Sequence, residues 1–352
     1  MRPERDHLWR ILTSGIQAPS AENEHYLRFR MRDDSVQLFA TDCGSWARHP
    51  HRRLLAMMSY GAVIENVALR SAALGYELQE ALLPDPAQPA LIAELRWVAA
   101  TPVSNPLCDA IEARHTNRRF YRRAALAPAT LERLRDAIGA AAGVRLLWLD
   151  DRARRRVALR AIRVAETERF RRRELHAELF GAIRFDRGWQ GGTDEWLAPA
   201  ALEVEPPMRR PFAWLRDWRA MRALNRVGAH LVLGMRAGYL PCALAPHIGL
   251  IVSDGADDPL ADLRAGRAFQ RVWLVAADEE LALQPMAAAT ALMRQTPGDG
   301  WVSERAQDRL GKWLDELSDR GAGRQAHMLF RVGRADPPSA VAGRRALHEY
   351  II

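Results

Sequence analysis

The sequence predicts an α+β fold in which helices pack on sheets. Stretches of helical and of strand periodicity are interleaved along its 352 residues. A hydrophobic share of 48% beside 27% charged residues is normal for a globular chain. No apolar run approaches the roughly 20 residues that a membrane-spanning helix needs.

Residues 5–17 read as an opening helix that ends near Pro19. Tyr26 to Met31 and Val36 to Ala40 are β-prone, and the turn Asp33-Asp34 joins them as a hairpin. His51 to Tyr76 is a long helix; Leu54, Leu55, Met58, Ala62, Leu69 and Ala73 give it an apolar face, and Gly75 is its stop. Strands follow at Glu77 to Leu82 and Glu94 to Val98, on either side of the Pro-rich segment 84–89. The loop 99–107, with Thr101-Pro102, Ser104 and Asn105-Pro106, marks an internal boundary.

Beyond it, Leu107 to Arg114 is a short helix, Pro128 opens another, and Val144 to Leu149 is a buried strand. Arg152 to Arg156, Arg160 and Arg163 alternate with Val157, Leu159, Ile162 and Val164, which is the wet face of a helix. Arg169 and Arg171 to Arg173 extend it among Glu166, Glu168 and Glu174, an arrangement suited to local ion pairs. Residues 186–211 are rich in Gly, Pro and Trp without a period and read as a covering loop or lid. Helix returns over 212–235 and Asp262 to Glu280, with strands at His247 to Val252 and Met328 to Val332.

The net charge is +8, yet Lys312 is the single lysine, so the basic excess is arginine usage rather than a polyanion-binding signature. Nucleic acid is therefore not expected as a partner, nor is a membrane. Cys43, Cys108 and Cys242 are too scattered for a zinc site or a disulfide framework. The charged start, Met1-Arg2-Pro3-Glu4, is not a signal peptide, and a cytoplasmic protein is expected. One internal echo stands out: shifted by 205 positions, Gly61 to Leu69 overlays Gly266 to Leu274, with Gly, Val and Leu coincident and Glu65 opposite Gln270. Chance matching of two amphipathic helices competes here with duplication of a half-domain.

The densest polar motif is Arg114-His115-Thr116-Asn117-Arg118-Arg119. Guanidinium groups take phosphate oxygens bidentately and a threonine hydroxyl adds a short neutral donor. Alone, the motif reads equally as a solvated helix end. Gly343-Arg344-Arg345 is a second cationic turn. Ala18-Pro19-Ser20-Ala21 with Asn23, His25 and Tyr26 forms a third segment, and Leu281 to Met286 a fourth.

Together these four segments resemble the FMN-dependent nitroreductase family. Arg114, His115, Thr116 and Arg118, followed by Phe120, Tyr121 and Pro128, are similar to its FMN-phosphate motif. Pro19, Ser20, Ala21 and Asn23 are similar to its A-P-S-x-x-N segment, although Glu24 to Leu27 depart from the polar-Gln-Pro-Trp that usually follows. Pro285, Met286 and Ala287 resemble the stretch that carries backbone groups to the flavin N5 edge. Arg344 and Arg345 fall where the family has its last phosphate-binding base, with Ala346 replacing a common proline.

In that family the phosphate motif precedes the A-P-S segment; here the order is reversed. The resemblance thus implies a nitroreductase fold made of two fused half-domains, a pseudo-dimer like the Acg-like branch. Residues 1–100 would be the degenerate half, and residues 107–352, including the lid 186–211, the half with the phosphate motif. Gly139 to Val144 stands where the second half should carry its own A-P-S segment. One FMN site per chain is implied, with NAD(P)H as reductant, a small quinone- or nitroaromatic-like acceptor, and a monomer or homodimer as the assembly. The flavin carries the chemistry and no catalytic side chain is assigned. FMN storage under a closed lid, and a dehydrogenase tailoring a peptide or natural product, are the alternatives. His247 is expected to be a packed histidine. Trp189, Trp196, Trp214 and Trp218 flank the lid, whereas Trp97, Trp148 and Trp273 are expected in the core.

Overall fold

Two four-stranded antiparallel sheets, built to the same strand order, organise the chain. The computed structural model describes residues 3–139, 143–255, 258–296 and 298–352. The first part contains α1 (Arg5–Ile16), β1 (Leu27–Met31), β2 (Val36–Ala40), α2 (Pro50–Ala73), β3 (Tyr76–Leu82) and β4 (Leu91–Ala99). The second contains α3 (Leu107–Ala113), α4 (Pro128–Asp136), β5 (Val144–Trp148), α5 (Arg152–Arg171), α6 (Arg173–Gly181), α7 (Arg209–Trp214), α8 (Trp218–Asn225), α9 (Ala229–Gly234) and α10 (Leu240–Leu244). It closes with β6 (His247–Asp254), α11 (Pro259–Asp278), β7 (Ala282–Pro285), α12 (Ala288–Met293), α13 (Glu304–Ser318) and β8 (Arg324–Gly333).

The sheets run β1-β2-β4-β3 and β5-β6-β8-β7, and in each the long helix follows the second strand. Local rules explain the helices. α1 buries Leu8, Ile11, Leu12 and Ile16, one stripe at helical spacing, each worth roughly 1.5–3 kcal/mol. Pro50 and Pro259 occupy first-turn positions of α2 and α11, and the Asp258 carboxylate caps α11 by accepting from the Leu260 N–H at 3.1 Å. Two residues beyond the end of α2 stands Gly75, whose φ of +84° a side chain would resist.

α2 and α11 lie against each other at the centre of the molecule, and small residues let them close. A Cβ on Gly61 would stand 2.0 Å from the Leu263 carbonyl oxygen, and one on Gly266 2.1 Å from that of Met58. Positions 58 and 263, like 61 and 266, are 205 apart, so the contact is reciprocal. The polar contacts follow the same pairing: the Gln270 amide donates to Asn66 Oδ1 at 2.8 Å, while Arg271 Nε donates to Glu65 Oε1 at 2.5 Å.

Arg267 also binds Glu65, at 3.0 Å, and Glu80, so this side of the helix pair is filled by ion pairs. The final segment crosses back to the first sheet: the Ile352 N–H donates to the Phe29 carbonyl at 2.9 Å, and the Tyr350 hydroxyl bonds His25. The predicted lid is not a bare loop. Single helical turns at Phe185–Arg187, Pro199–Leu202 and Pro206–Met208 lead into α7, two of them started by proline, while Gly188 and Gly191 take positive φ between them. Of segment 139–144, residues 140–142 lie outside the described residues.

Candidate functional site

A cavity of about 730 Å³ lies where the two helices meet the lid. α2 contributes Leu55, Met58, Ser59 and Ala62 to its wall, and α11 contributes Gly266, Phe269 and Trp273. Their counterparts 205 positions away include Arg267 opposite Ala62, which is why the other side of the helix pair is closed. Pro19, Ser20, Ala21, Thr116, Arg118, Pro285, Met286 and Ala287 all line this cavity.

Around these stand groups that the sequence reading did not assign to the flavin site. Glu22, Glu24, Glu166, Arg169, His51, Arg52 and Glu178 are in the wall, and Trp196, Leu202, Val204, Met208 and Phe212 roof it. Glu166 and Arg169, expected on a wet helix face, turn inward instead; Arg169 donates to Glu22 Oε1 at 2.6 Å and lies 3.5 Å from Glu166. Burial, aided by Glu22, pushes the Glu24 carboxyl up to about 7, and burial raises Glu166 as well. Glu178 is held low, because His51 and Arg52 bond it.

Arg114 and Arg344 meet behind the Ala18–Asn23 segment. Arg344 Nε donates to the Ile16 carbonyl at 2.7 Å, Nη1 to Asn23 Oδ1 at 2.7 Å and Nη2 to the Ala18 carbonyl at 2.6 Å. It thereby satisfies carbonyls that the end of α1 leaves without helical partners. Arg114 Nη2 shares the Gln17 carbonyl with Arg344, at 3.2 and 3.3 Å. The Arg114 guanidinium lies 4.6 Å over the ring of Trp273, itself a cavity residue, and its Nε is buried without a partner. Neither arginine has a salt bridge among the described residues. Burial, with Arg344 beside it, lowers Arg114 to about 9, and burial lowers Arg344 to about 10. Neither lines the cavity; Arg114 reaches its wall only through the Trp273 ring, so the pair is two buried cations with carbonyl and amide partners behind that wall.

Asn23 is a fastener rather than a cavity residue: its amide donates to the Trp196 carbonyl at 3.3 Å, and its Oδ1 also accepts from Arg344. Arg118 is separate from the Arg114–Arg344 pair; it faces the cavity, donates to the Ala201 carbonyl at 3.3 Å and is lowered by burial. His115 folds back on the Ala113 carbonyl at 2.7 Å, and Arg345 lies 3.6 Å from Glu195 and 3.8 Å from Glu349; neither lines the cavity. The Met286 N–H is engaged by the Leu329 carbonyl at 2.7 Å. Ser20 Oγ is buried without a partner in the cavity wall.

Of the lid tryptophans, Trp196 alone reaches the cavity among the described residues; Trp189 packs on Phe185 and Arg209, Trp218 on His176, and Trp214 is exposed. Trp97 is buried, with its indole N–H donated to Ser71, and Trp273 is buried beneath Arg114. His247 is packed as expected, accepting from the Leu126 N–H at 2.9 Å and bonding Asp150 at 2.7 Å. Ser253, His327 and Asp262 form a hydrolase-like relay, at 2.7 and 2.9 Å. All three are buried and none lines the cavity, so the relay cross-links the second sheet to α11 without access for a substrate.

No family model matches the chain. An uncharacterized protein, MT1398, of Mycobacterium tuberculosis is 28% identical over 241 residues, 67% of this chain but 33% of that protein. The chain thus spans about a third of the length of that curated relative. Among solved structures, the nitroreductase with bound FMN from Bacteroides fragilis is 13% identical and covers 66% of this chain and 90% of its own, at a TM-score of 0.36. Oxidized iodotyrosine deiodinase bound to FMN and 3-iodo-L-tyrosine is 13% identical, covering 68% and 95%, at 0.37. The FMN-dependent nitroreductase NfnB of Mycobacterium smegmatis, in complex with NADPH, is 18% identical, covering 66% and 88%, at 0.34. The chain has an α+β fold, and its likeness to solved nitroreductases runs over about two thirds of its length.

Proposed function

We propose that this chain is a flavin-dependent oxidoreductase of the nitroreductase type that holds one FMN per chain. The observation that carries the reading is the Arg114–Arg344 pair, two buried cations without a carboxylate that stand behind the cavity wall, Arg114 against Trp273, with a cavity large enough for a cofactor and a small ligand on its other side. The residues present fit the group. Arg114 and Arg344 would neutralise its phosphate, and Ser20 Oγ, buried without a partner in the cavity wall, is free to bond it. Pro19 to Ala21 and Pro285 to Ala287 approach the cavity from different parts of the chain, as a composite site between the proposed halves 1–100 and 107–352 requires.

When bound, FMN supplies hydride and electron transfer; the protein supplies binding, orientation and charge. Arg118 holds a positive charge at the cavity wall near Glu22 and Arg169. Glu24, its carboxyl raised to about 7, holds a proton near neutral pH. Trp196, Leu202, Val204 and Phe212 exclude water from the apolar roof, which suits a flat, weakly polar acceptor such as a quinone or nitroaromatic, with NAD(P)H as reductant.

Reconstitution tests the reading: purified protein incubated with FMN and desalted should carry about one flavin absorbance equivalent per chain. NAD(P)H should bleach it and a quinone restore it. A colourless product overturns the cofactor, and a bound flavin that stays oxidised overturns the reductant.

A further inference from the structure

The helical segment that follows the lid, α7 to α9, carries a surface that the cavity does not account for. Between residues 208 and 240 lie seven arginines and one acid, Asp217, whose carboxylate caps α8 by accepting from the Arg219 N–H at 2.8 Å. Arg210, Arg216, Arg219, Arg222 and Arg226 are exposed and make no salt bridge among the described residues. Beside them Met208, Trp214, Val227, Leu231, Val232 and Met235 are exposed, Val227 at 82% and Val232 at 69%. Leu231 and Met235 are four residues apart on the run of α9 into the π-helical turn Met235–Tyr239, and Val227 lies in the turn that precedes α9, where Gly228 takes a φ of +90°. Met208 and Val232 belong both to this face and to the cavity wall, so the cavity opens within it.

We propose that this face docks on an anionic lipid surface. Charge and shape select the occupant. Unpaired arginines seek a negative partner, and large exposed aliphatic side chains seek an acyl-chain boundary, a combination characteristic of helices that lie in a membrane interface. Nucleic acid would use the arginines but leave the aliphatic side chains in water. No single helix among the described residues is long and apolar enough to cross a membrane, and an interfacial mode needs none. Docking in this way brings the cavity mouth to the lipid headgroup region.

The test is co-sedimentation of the full-length chain with vesicles of mixed phosphatidylglycerol and phosphatidylcholine, beside vesicles of phosphatidylcholine alone. The protein should sediment with the former and not the latter. Arg219→Gln with Arg222→Gln should weaken binding about twentyfold, near fivefold for each charge. Val227→Ser with Leu231→Ser, at side chains 82% and 56% exposed, should weaken it several-fold while moving the unfolding midpoint little. Failure to sediment with anionic vesicles overturns the proposal. So does binding that ignores the serine pair and is competed by duplex DNA, which marks a nucleic-acid surface. A dimer that the serine pair converts to a monomer overturns it in favour of self-association. None of these readouts involves flavin, so the proposal fails or stands apart from the cofactor reading.

Discussion

Replacing Arg114 by methionine should change the empty protein and its cofactor affinity in opposite directions. Arg114 is lowered from the usual 12.5 to about 9 by burial and by Arg344, which corresponds to roughly 5 kcal/mol of unfavourable charge in the folded state. Because the folded value of this base is depressed, the penalty is complete below about pH 9 and fades as the proton leaves above it. Methionine fills the side-chain volume without the charge. It forfeits the bond to the Gln17 carbonyl and the contact with Trp273, together about 3–4 kcal/mol. The net expectation is a gain of about 1–2 kcal/mol in the apo-protein, or about 2 °C in Tm for a chain of this length. FMN should bind about 10- to 150-fold more weakly, the loss of a charge-assisted phosphate contact of about 1.5–3 kcal/mol. Urea unfolding of apo-protein measures the first quantity and quenching of FMN fluorescence the second. An apo-protein that is less stable, with FMN affinity unchanged, would show Arg114 to be a structural cation and remove the anion site.

Glu24→Gln should flatten part of the pH–stability curve. With its folded value raised from 4.5 to about 7, Glu24 costs stability as pH rises through that window; discounted for its partial exposure, the wild-type loss is about 1–2 kcal/mol, read as the difference between the two proteins. The control matters because His25, lowered to about 3 by burial and by Arg344, Arg345 and Arg28, makes stability rise with pH from about 3 to 6.5. Gly61→Ala and Gly266→Ala should each cost about 2–3 kcal/mol in urea unfolding, and less than the sum when combined, because both wedge one helix contact. Ala62→Arg should empty the cavity of flavin while the fold survives, as judged by circular dichroism. Two flavins per wild-type chain would contradict the closure that Arg267, Glu65 and Glu80 impose.

Where periodicity is strong, the chain could be read directly. α1, the first hairpin, α2 and α11 come within three residues of expectation because each couples a stripe or alternation to a punctuation mark, Pro or Gly beside the helices and Asp33-Asp34 in the hairpin. β7 and α12 were not legible, whereas α13 was overlooked although Ala306, Leu310, Leu314 and Leu317 recur at helical spacing. Ala282–Pro285 is four residues long and becomes a strand only by pairing with β8, and α12 is one short turn beyond it. The candidate site divided the same way. Arg114 and Arg344 are far apart in sequence, and nothing local announces that they share the Gln17 carbonyl. Glu166 and Arg169 were misplaced because alternating charges look the same on a solvated helix face as on a cavity wall; only the packing of the lid decides between them.

The reciprocal contact of α2 and α11 bears on how such a molecule can change over generations. In two identical subunits every substitution appears at both ends of a symmetric interface, so a side chain that suits one end is imposed on the other. Here the two helices are separate stretches of one gene product. Ala62 can stay small and border the cavity while the residue 205 positions on is Arg267, held by Glu65 and Glu80. One end of the pair is free to keep a cavity and the other to become a clasp.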